Sequence, residues 1–181
     1  YDTYYNLSNL TWVMQGGGFT SRNGLVIAPG TGMMVVHANP NDVNEMLAFG
    51  DLRYNDFKKP LRMGSKGLNF MALGYPFDAS PASLGMEESN GFVRASSPGS
   101  ATQILDWLGD TTTNTTGWGT NFLLTSTVWY TQGDLSQQST HLPLFRACRS
   151  TFVLVRQDNL AWTHALPWQT APWVQPAIIE D

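Results

Sequence analysis

The chain has 181 residues and a net charge of −4, and charged residues make up only 13% of it, about half the usual share of a folded domain. That length suits one domain, or one domain of two similar halves, with enough chain to bury a core. The acidic balance without a basic stripe argues against nucleic acid as main partner, the single cysteine (Cys148) rules out an internal disulfide or a cysteine zinc cluster, and no apolar run approaches the ~20 residues that span a membrane.

Taken in chain order, residues 1–6 are aromatic and predict an entering strand, and residues 10–15 predict a second. Gly16-Gly17-Gly18 is a turn open to positive φ, and residues 24–28 are apolar and strand-like. Pro29-Gly30-Thr31-Gly32 is a strong turn signal, because Pro presets one corner and Gly takes the next; residues 33–37 then return as a strand. Residues 42–49 predict a short helix, with Asp42 as cap, Glu45 three residues on and Gly50 at the close. Strands are predicted at 52–57 and 61–63. Lys58, Lys59, Arg62 and Lys66 cluster there, as charges do on edge strands that must avoid unwanted pairing. Residues 67–75 predict a buried strand ending at Pro76.

Residues 80–85 predict one helical turn, capped by Ser80, begun by Pro81 and ended by Gly85. A short strand is predicted at 92–95. Residues 100–108 predict a second helix, because Ser100 and Gln103 form a capping box and Ile104, Leu105 and Leu108 share a helical face. A polar loop follows at 110–119. Residues 121–156 and 160–166 hold further strands, and 168–179 are extended around Pro172 and Pro176, which forbid a helix.

The strongest pattern is an internal repeat. Leu7-Ser8-Asn9-Leu10-Thr11-Trp12-Val13-Met14-Gln15-Gly16 recurs as Leu124-Thr125-Ser126-Thr127-Val128-Trp129-Tyr130-Thr131-Gln132-Gly133, and Leu25 and Leu142 follow at the same distance from Trp12 and Trp129. Repetition of this kind marks a duplicated packing module, which predicts that both Trp12 and Trp129 belong to the core. The division that follows is a partial β unit over 1–57, a full unit over 58–167 and an extended apolar tail over 168–181. The fold class is all-β: a sandwich or barrel with two pseudo-repeated units and two or three short helices.

The run Gly67-Leu68-Asn69-Phe70-Met71-Ala72-Leu73-Gly74-Tyr75-Pro76-Phe77-Asp78, then Ser83-Leu84-Gly85-Met86, then Ala101-Thr102-Gln103-Ile104-Leu105-Asp106-Trp107, resembles a group of uncharacterised secreted β-rich repeat proteins of verrucomicrobial-type bacteria. Pro29-Gly30-Thr31-Gly32-Met33 is similar to the element that closes their β unit; Arg146-Ala147-Cys148-Arg149-Ser150, its second copy here, has lost both glycines. The resemblance implies export and a β fold, and carries no known activity.

Chemistry is sparsely signalled. His37, His141 and His164 are far apart and match no short metal motif. No Gly-x-Ser-x-Gly elbow exists, and Cys148, though flanked by Arg146 and Arg149, reads as a quiet lone thiol. Asp106 with Asp110, or Glu87 with Glu88, could pair as carboxylates, but a helix end and a loop are poor places for a buried acid. No catalytic, metal or cofactor site is expected. The expectation is a non-enzymatic extracellular or cell-surface protein that assembles with copies of itself through β-strand pairing and aromatic burial. The expected interface residues are Tyr1, Tyr4, Tyr5, Trp168, Trp173, Val174, Ile178 and Ile179. The alternative is a carbohydrate-binding module, because exposed coplanar tryptophans stack on sugar rings, with polysaccharide as the partner. No signal peptide is visible at Tyr1, so a secreted chain would be the mature form.

Overall fold

The computed structural model of the protein describes residues 2–7, 11–27, 31–33, 57–63, 67–73, 77–108, 117–147 and 149–164. The helix predicted at 42–49, His37, Lys66, Asp110, Cys148, Tyr1 and the tail from 165 onward lie outside the described residues.

The fold is all-β. Its strands are β1 Tyr4–Asn6, β2 Trp12–Met14, β3 Phe57–Leu61, β4 Leu68–Met71, β5 Gln103–Trp107, β6 Trp118–Leu123, β7 Trp129–Thr131, β8 Asp134–Gln138, β9 Thr151–Leu154 and β10 Leu160–His164. Six of them form one sheet in the order β4-β9-β5-β6-β7-β8, while β1 pairs with β2 and β10 with β3, all antiparallel. The only helical pieces among the described residues are two single 3-10 turns, Glu88–Asn90 and Pro98–Ser100.

One face of the six-stranded sheet meets the core. Met71, Val153, Ile104, Leu123 and Trp129 lie on it in register and are buried. Opposite them stand Leu61 of β3, Leu160 and Trp162 of β10, and Leu84, Met86 and Phe92 from the segment before β5, all in one buried cluster. Residues 80–86 make the capped turn that the sequence predicts. Ser80 and Ser83 exchange side-chain bonds, and Gly85 at φ 60 closes a Schellman pair, Met86 N–H to Pro81 O and Gly85 N–H to Ala82 O. This turn then serves the core. The Trp129 indole N–H donates to the Met86 carbonyl at 2.7 Å, and that of Trp162 donates to the Leu84 carbonyl at 2.9 Å. Two large rings are thereby buried with their only polar atom satisfied.

Two expectations are overturned here. Residues 100–108 are not a helix. Ser100 ends a 3-10 turn instead, the Gln103 amide donates to the Pro98 carbonyl, and residues 103–107 are β5. The apolar residues at 104 and 105 serve opposite faces of a strand held between β6 and β9, and that pairing outweighs local helix preference. Trp12 is not a core residue: it is 45% exposed, whereas Trp129 is fully buried. Smaller departures concern edges. Residues 92–95 form no named strand, although Val93 and Thr102 bond reciprocally. Residues 57–61 form one strand, β3, which carries Pro60 in a two-stranded sheet; residues 62–63 are not part of it, and residues 52–56 lie outside the described residues.

The repeat is written in hydrogen bonds. Asn6, Tyr5 and Tyr4 face Trp12, Val13 and Met14; Leu123, Phe122 and Asn121 face Trp129, Tyr130 and Thr131. Leu7 N–H donates to Thr11 O as Leu124 does to Val128 O, Gln15 to Thr3 as Gln132 to Thr120, Arg22 to Trp12 as Ser139 to Trp129, and Leu25 to Arg22 as Leu142 to Ser139. The Trp12 amide is held by the Asn23 side chain at 2.7 Å, and the Trp129 amide by the Thr140 hydroxyl at 2.9 Å. Gly16 and Gly133 both take positive φ at the tip, 79 and 92. Both units also bulge past that tip: Val13 pairs with Ser21 as Tyr130 pairs with Gln138, while Asp134 already faces Thr131.

Candidate assembly surface

Because side chains alternate along a strand, the second face of the six-stranded sheet is fixed by the same register. It carries Leu68 and Phe70 of β4, Phe152 and Leu154 of β9, Gln103, Leu105 and Trp107 of β5, Trp118, Thr120 and Phe122 of β6, and Tyr130 of β7. None of these is charged; Phe122 is buried at the β6–β7 side, while Leu68 is 47%, Trp107 43% and Trp118 36% exposed. The rings form a continuous band. Phe70 stacks on Phe152 at 4.4 Å, Phe152 meets Trp118 at 4.9 Å, and Trp118 meets Trp107 at 5.0 Å. The last two contacts are edge-to-face, with interplanar angles of 68° and 62°, so the indoles do not present one flat platform.

A second apolar area belongs to the first unit. Tyr5 is 42%, Trp12 45%, Phe19 79%, Leu25 50%, Val26 87% and Ile27 50% exposed. With the Asn6 amide oxygen turned toward it, the Trp12 indole N–H donates there at 3.2 Å, where Trp129 uses the turn at Met86. Tyr4 and Tyr5, expected at an interface, lie on β1, half-buried and exposed respectively. Trp168, Trp173, Val174, Ile178 and Ile179 lie outside the described residues.

Sheet edges differ in how open they are. The β8 edge is blunted by its bulge and by Asp134, whose carboxylate accepts from the Ser136 amide at 3.0 Å and from the Ser136 hydroxyl. Those bonds hold the Asp134 pKa below the ordinary carboxylate value. At the β4 edge, Thr31 bridges Met71, and a Cβ on Gly32 would lie 2.7 Å from the Met71 nitrogen. On β1, the side away from β2 pairs with no described strand.

The residues weighed for chemistry are dispersed. Glu88 pairs with Arg94 at 2.9 Å, and Glu87 accepts from the Ser89 hydroxyl at 2.6 Å, which ties both into local turns. Asp106 was the residue that sequence reasoning placed wrongly. On β5 it is half-buried, and burial pushes its pKa up against the opposing pull of Arg146 and Arg149. Its signal in the sequence was strand alternation: Ile104 and Asp106 share the inward face, Leu105 and Trp107 the other. Nearby, Asp78 accepts from the Ala147 amide at 2.8 Å and faces Arg146 at 3.8 Å. Lys59 on β3 is depressed in pKa by burial. His141 borders a groove of about 270 Å³ beside Glu87, Gln138 and Thr140. Among the described residues no three His, Cys, Asp or Glu side chains converge as a metal set, and no helix is long and apolar enough to cross a membrane. No protein-family model, curated protein or solved structure matches the chain.

Proposed function

We propose that this chain is a non-enzymatic extracellular structural protein, a subunit that assembles with its own copies into a filament or surface layer through β-strand pairing and aromatic burial. One observation carries the reading: an uncharged, half-exposed aromatic band runs across the outer face of the six-stranded sheet from Phe70 to Trp107. A contiguous apolar sheet face is the kind of surface that a second sheet covers, and a face without charge can meet a like face without repulsion. The resemblance to secreted β-rich repeat proteins and the low charge support an extracellular setting.

Carbohydrate binding is the second reading, favoured by the exposure of Trp107 and Trp118. The 62° tilt between those rings weighs against it, since a sugar chain stacks best on coplanar indoles. Light scattering and negative-stain microscopy of the purified chain test the choice. Polymers or rings that dissolve in the Trp118→Lys variant support assembly. A monomer at every concentration, whose tryptophan fluorescence shifts on adding soluble polysaccharide, overturns it.

A further inference from the structure

Asn-Gly occurs twice in the chain, at Asn23-Gly24 and Asn90-Gly91, and the fold treats the two pairs in opposite ways. In such a pair the asparagine side chain and the next backbone nitrogen can close on each other, because glycine has no Cβ to obstruct the approach. At 90–91 the fold itself demands the glycine. Gly91 takes φ 90 after the 3-10 turn, and a Cβ there would lie 2.6 Å from Leu160 Cδ1. The Gly91 N–H donates to Glu88 O at 2.9 Å, and the Asn90 side-chain N–H donates to Gly85 O at 2.7 Å. Backbone nitrogen and side chain are both held in other bonds.

At 23–24 neither conformation nor space requires glycine. Gly24 takes no left-handed φ, and a Cβ on it would meet nothing within 4 Å. Asn23 and Gly24 are the exposed corners of a turn closed by Leu25 N–H to Arg22 O at 2.9 Å, a bond that leaves the Gly24 N–H outside it. No described residue accepts from that N–H. The Asn23 side-chain oxygen accepts from the Trp12 N–H at 2.7 Å, so a donor is already aimed at the atom on which negative charge develops when the side-chain carbonyl is attacked.

We infer that Asn23-Gly24 is a site of spontaneous modification, at which the folded chain deamidates far faster than at Asn90-Gly91. Hydroxide removes the Gly24 amide proton, and the nitrogen attacks the Asn23 side-chain carbonyl carbon. The new C–N bond forms as the bond to the side-chain NH2 breaks. Ammonia leaves with a proton from water, and a cyclic imide remains. Water adds to either imide carbonyl and opens the ring, giving aspartate or isoaspartate. The sum is amide plus water to acid plus ammonia, with nothing oxidised or reduced. Aspartate keeps an acceptor for the Trp12 N–H. Isoaspartate routes the main chain through the former side chain, which lengthens the turn and parts Leu25 N–H from Arg22 O. The reaction needs only water and hydroxide, and it stands apart from the assembly reading.

Incubation of the purified chain at mildly alkaline pH, followed by digestion and mass spectrometry, tests the site. The peptide holding Asn23 is expected to gain the mass of NH2 replaced by OH and to separate into two products. It should convert ~10-fold or more faster than the peptide holding Asn90, where two hydrogen bonds must break first. Once urea removes the fold, the two pairs should convert at similar rates. Gly24→Ala, for which the structure has room, should keep the circular dichroism of the wild type and slow conversion at Asn23 several-fold. Equal rates at the two pairs in the folded chain, or faster conversion at Asn90, would overturn the inference. So would an Asn23 that keeps its mass when folded but converts in urea. A folded Gly24→Ala chain that converts as fast as the wild type would show that the Gly24 nitrogen is not the attacking group.

Discussion

At Trp129 the indole N–H ends on the Met86 carbonyl beneath a buried turn; at Trp12, the same position in the first unit, the ring is 45% exposed and turns to Asn6. The backbone bonds around the two rings are the same, so the difference lies entirely in what covers them. Val13 is fully buried while Trp12 is not, and in the second unit the tryptophan is fully buried while Tyr130 stays half-exposed. A shared register fixes which residues lie on which face; it leaves open which face the protein hides.

The comparison can be broken most forcefully at the tryptophans themselves. Trp129→Ala empties a packed site and strips the Met86 carbonyl of its donor, with an expected loss of ~3–5 kcal/mol by urea titration. Trp12→Ala should cost far less, ~1 kcal/mol in the monomer, because the ring is 45% exposed and solvent can replace its bond to Asn6. Equal losses at the two positions would mean that Trp12 is covered after all.

A finer probe acts on the amides that precede those rings. Thr140→Val removes the hydroxyl that holds the buried Trp129 amide, and is expected to cost ~1–3 kcal/mol because the donor stays unsatisfied away from water. Asn23→Ala removes the equivalent acceptor at Trp12, where solvent can replace it, and should cost only a few tenths of a kcal/mol (~0.3). Thermal denaturation of both variants reads the contrast directly.

The smallest effect concerns Asp106 on β5. Its pKa is raised in the folded protein by burial, so the ionised form is the less welcome one. The stability linked to its neutral form is fully present below the unfolded carboxylate value and is lost as pH rises through the folded value. Asp106→Asn should therefore match the wild type in acid and become the more stable chain toward neutral pH. The gain should stay under ~1 kcal/mol, since the group is half-exposed and solvent screens it. A gain that appears only in acid would reverse the sign and refute the burial argument.

Much of the strand framework was legible because it is local. The Trp–Gln–Gly frame located the β1-β2 and β6-β7 pairs, although residues 24–27, expected as strand, form none, and Ser80, Pro81 and Gly85 announced their turn through cap chemistry. The misreading of residues 100–108 has a physical source: apolar residues at 104, 105 and 108 satisfy a helical face as well as a strand, and only the neighbours β6 and β9 decide between them. The outer aromatic band was not legible at all. Phe70, Trp107, Trp118 and Phe152 come from four strands distant in sequence, and their common face depends on cross-strand register. The exposure of Trp12 was hidden for the same reason, since duplication repeats a strand but not its surroundings.

The turn at residues 80–86 fastens two layers with one short piece of backbone. Its carbonyls at Leu84 and Met86 grip indoles that come from β10 and from the six-stranded sheet, so neither layer can loosen without pulling on the same pin. Intrinsic fluorescence of Trp129 and Trp162 should thus fade in one concerted step during denaturation, a built-in optical gauge for whether the sandwich opens as a whole or peels apart.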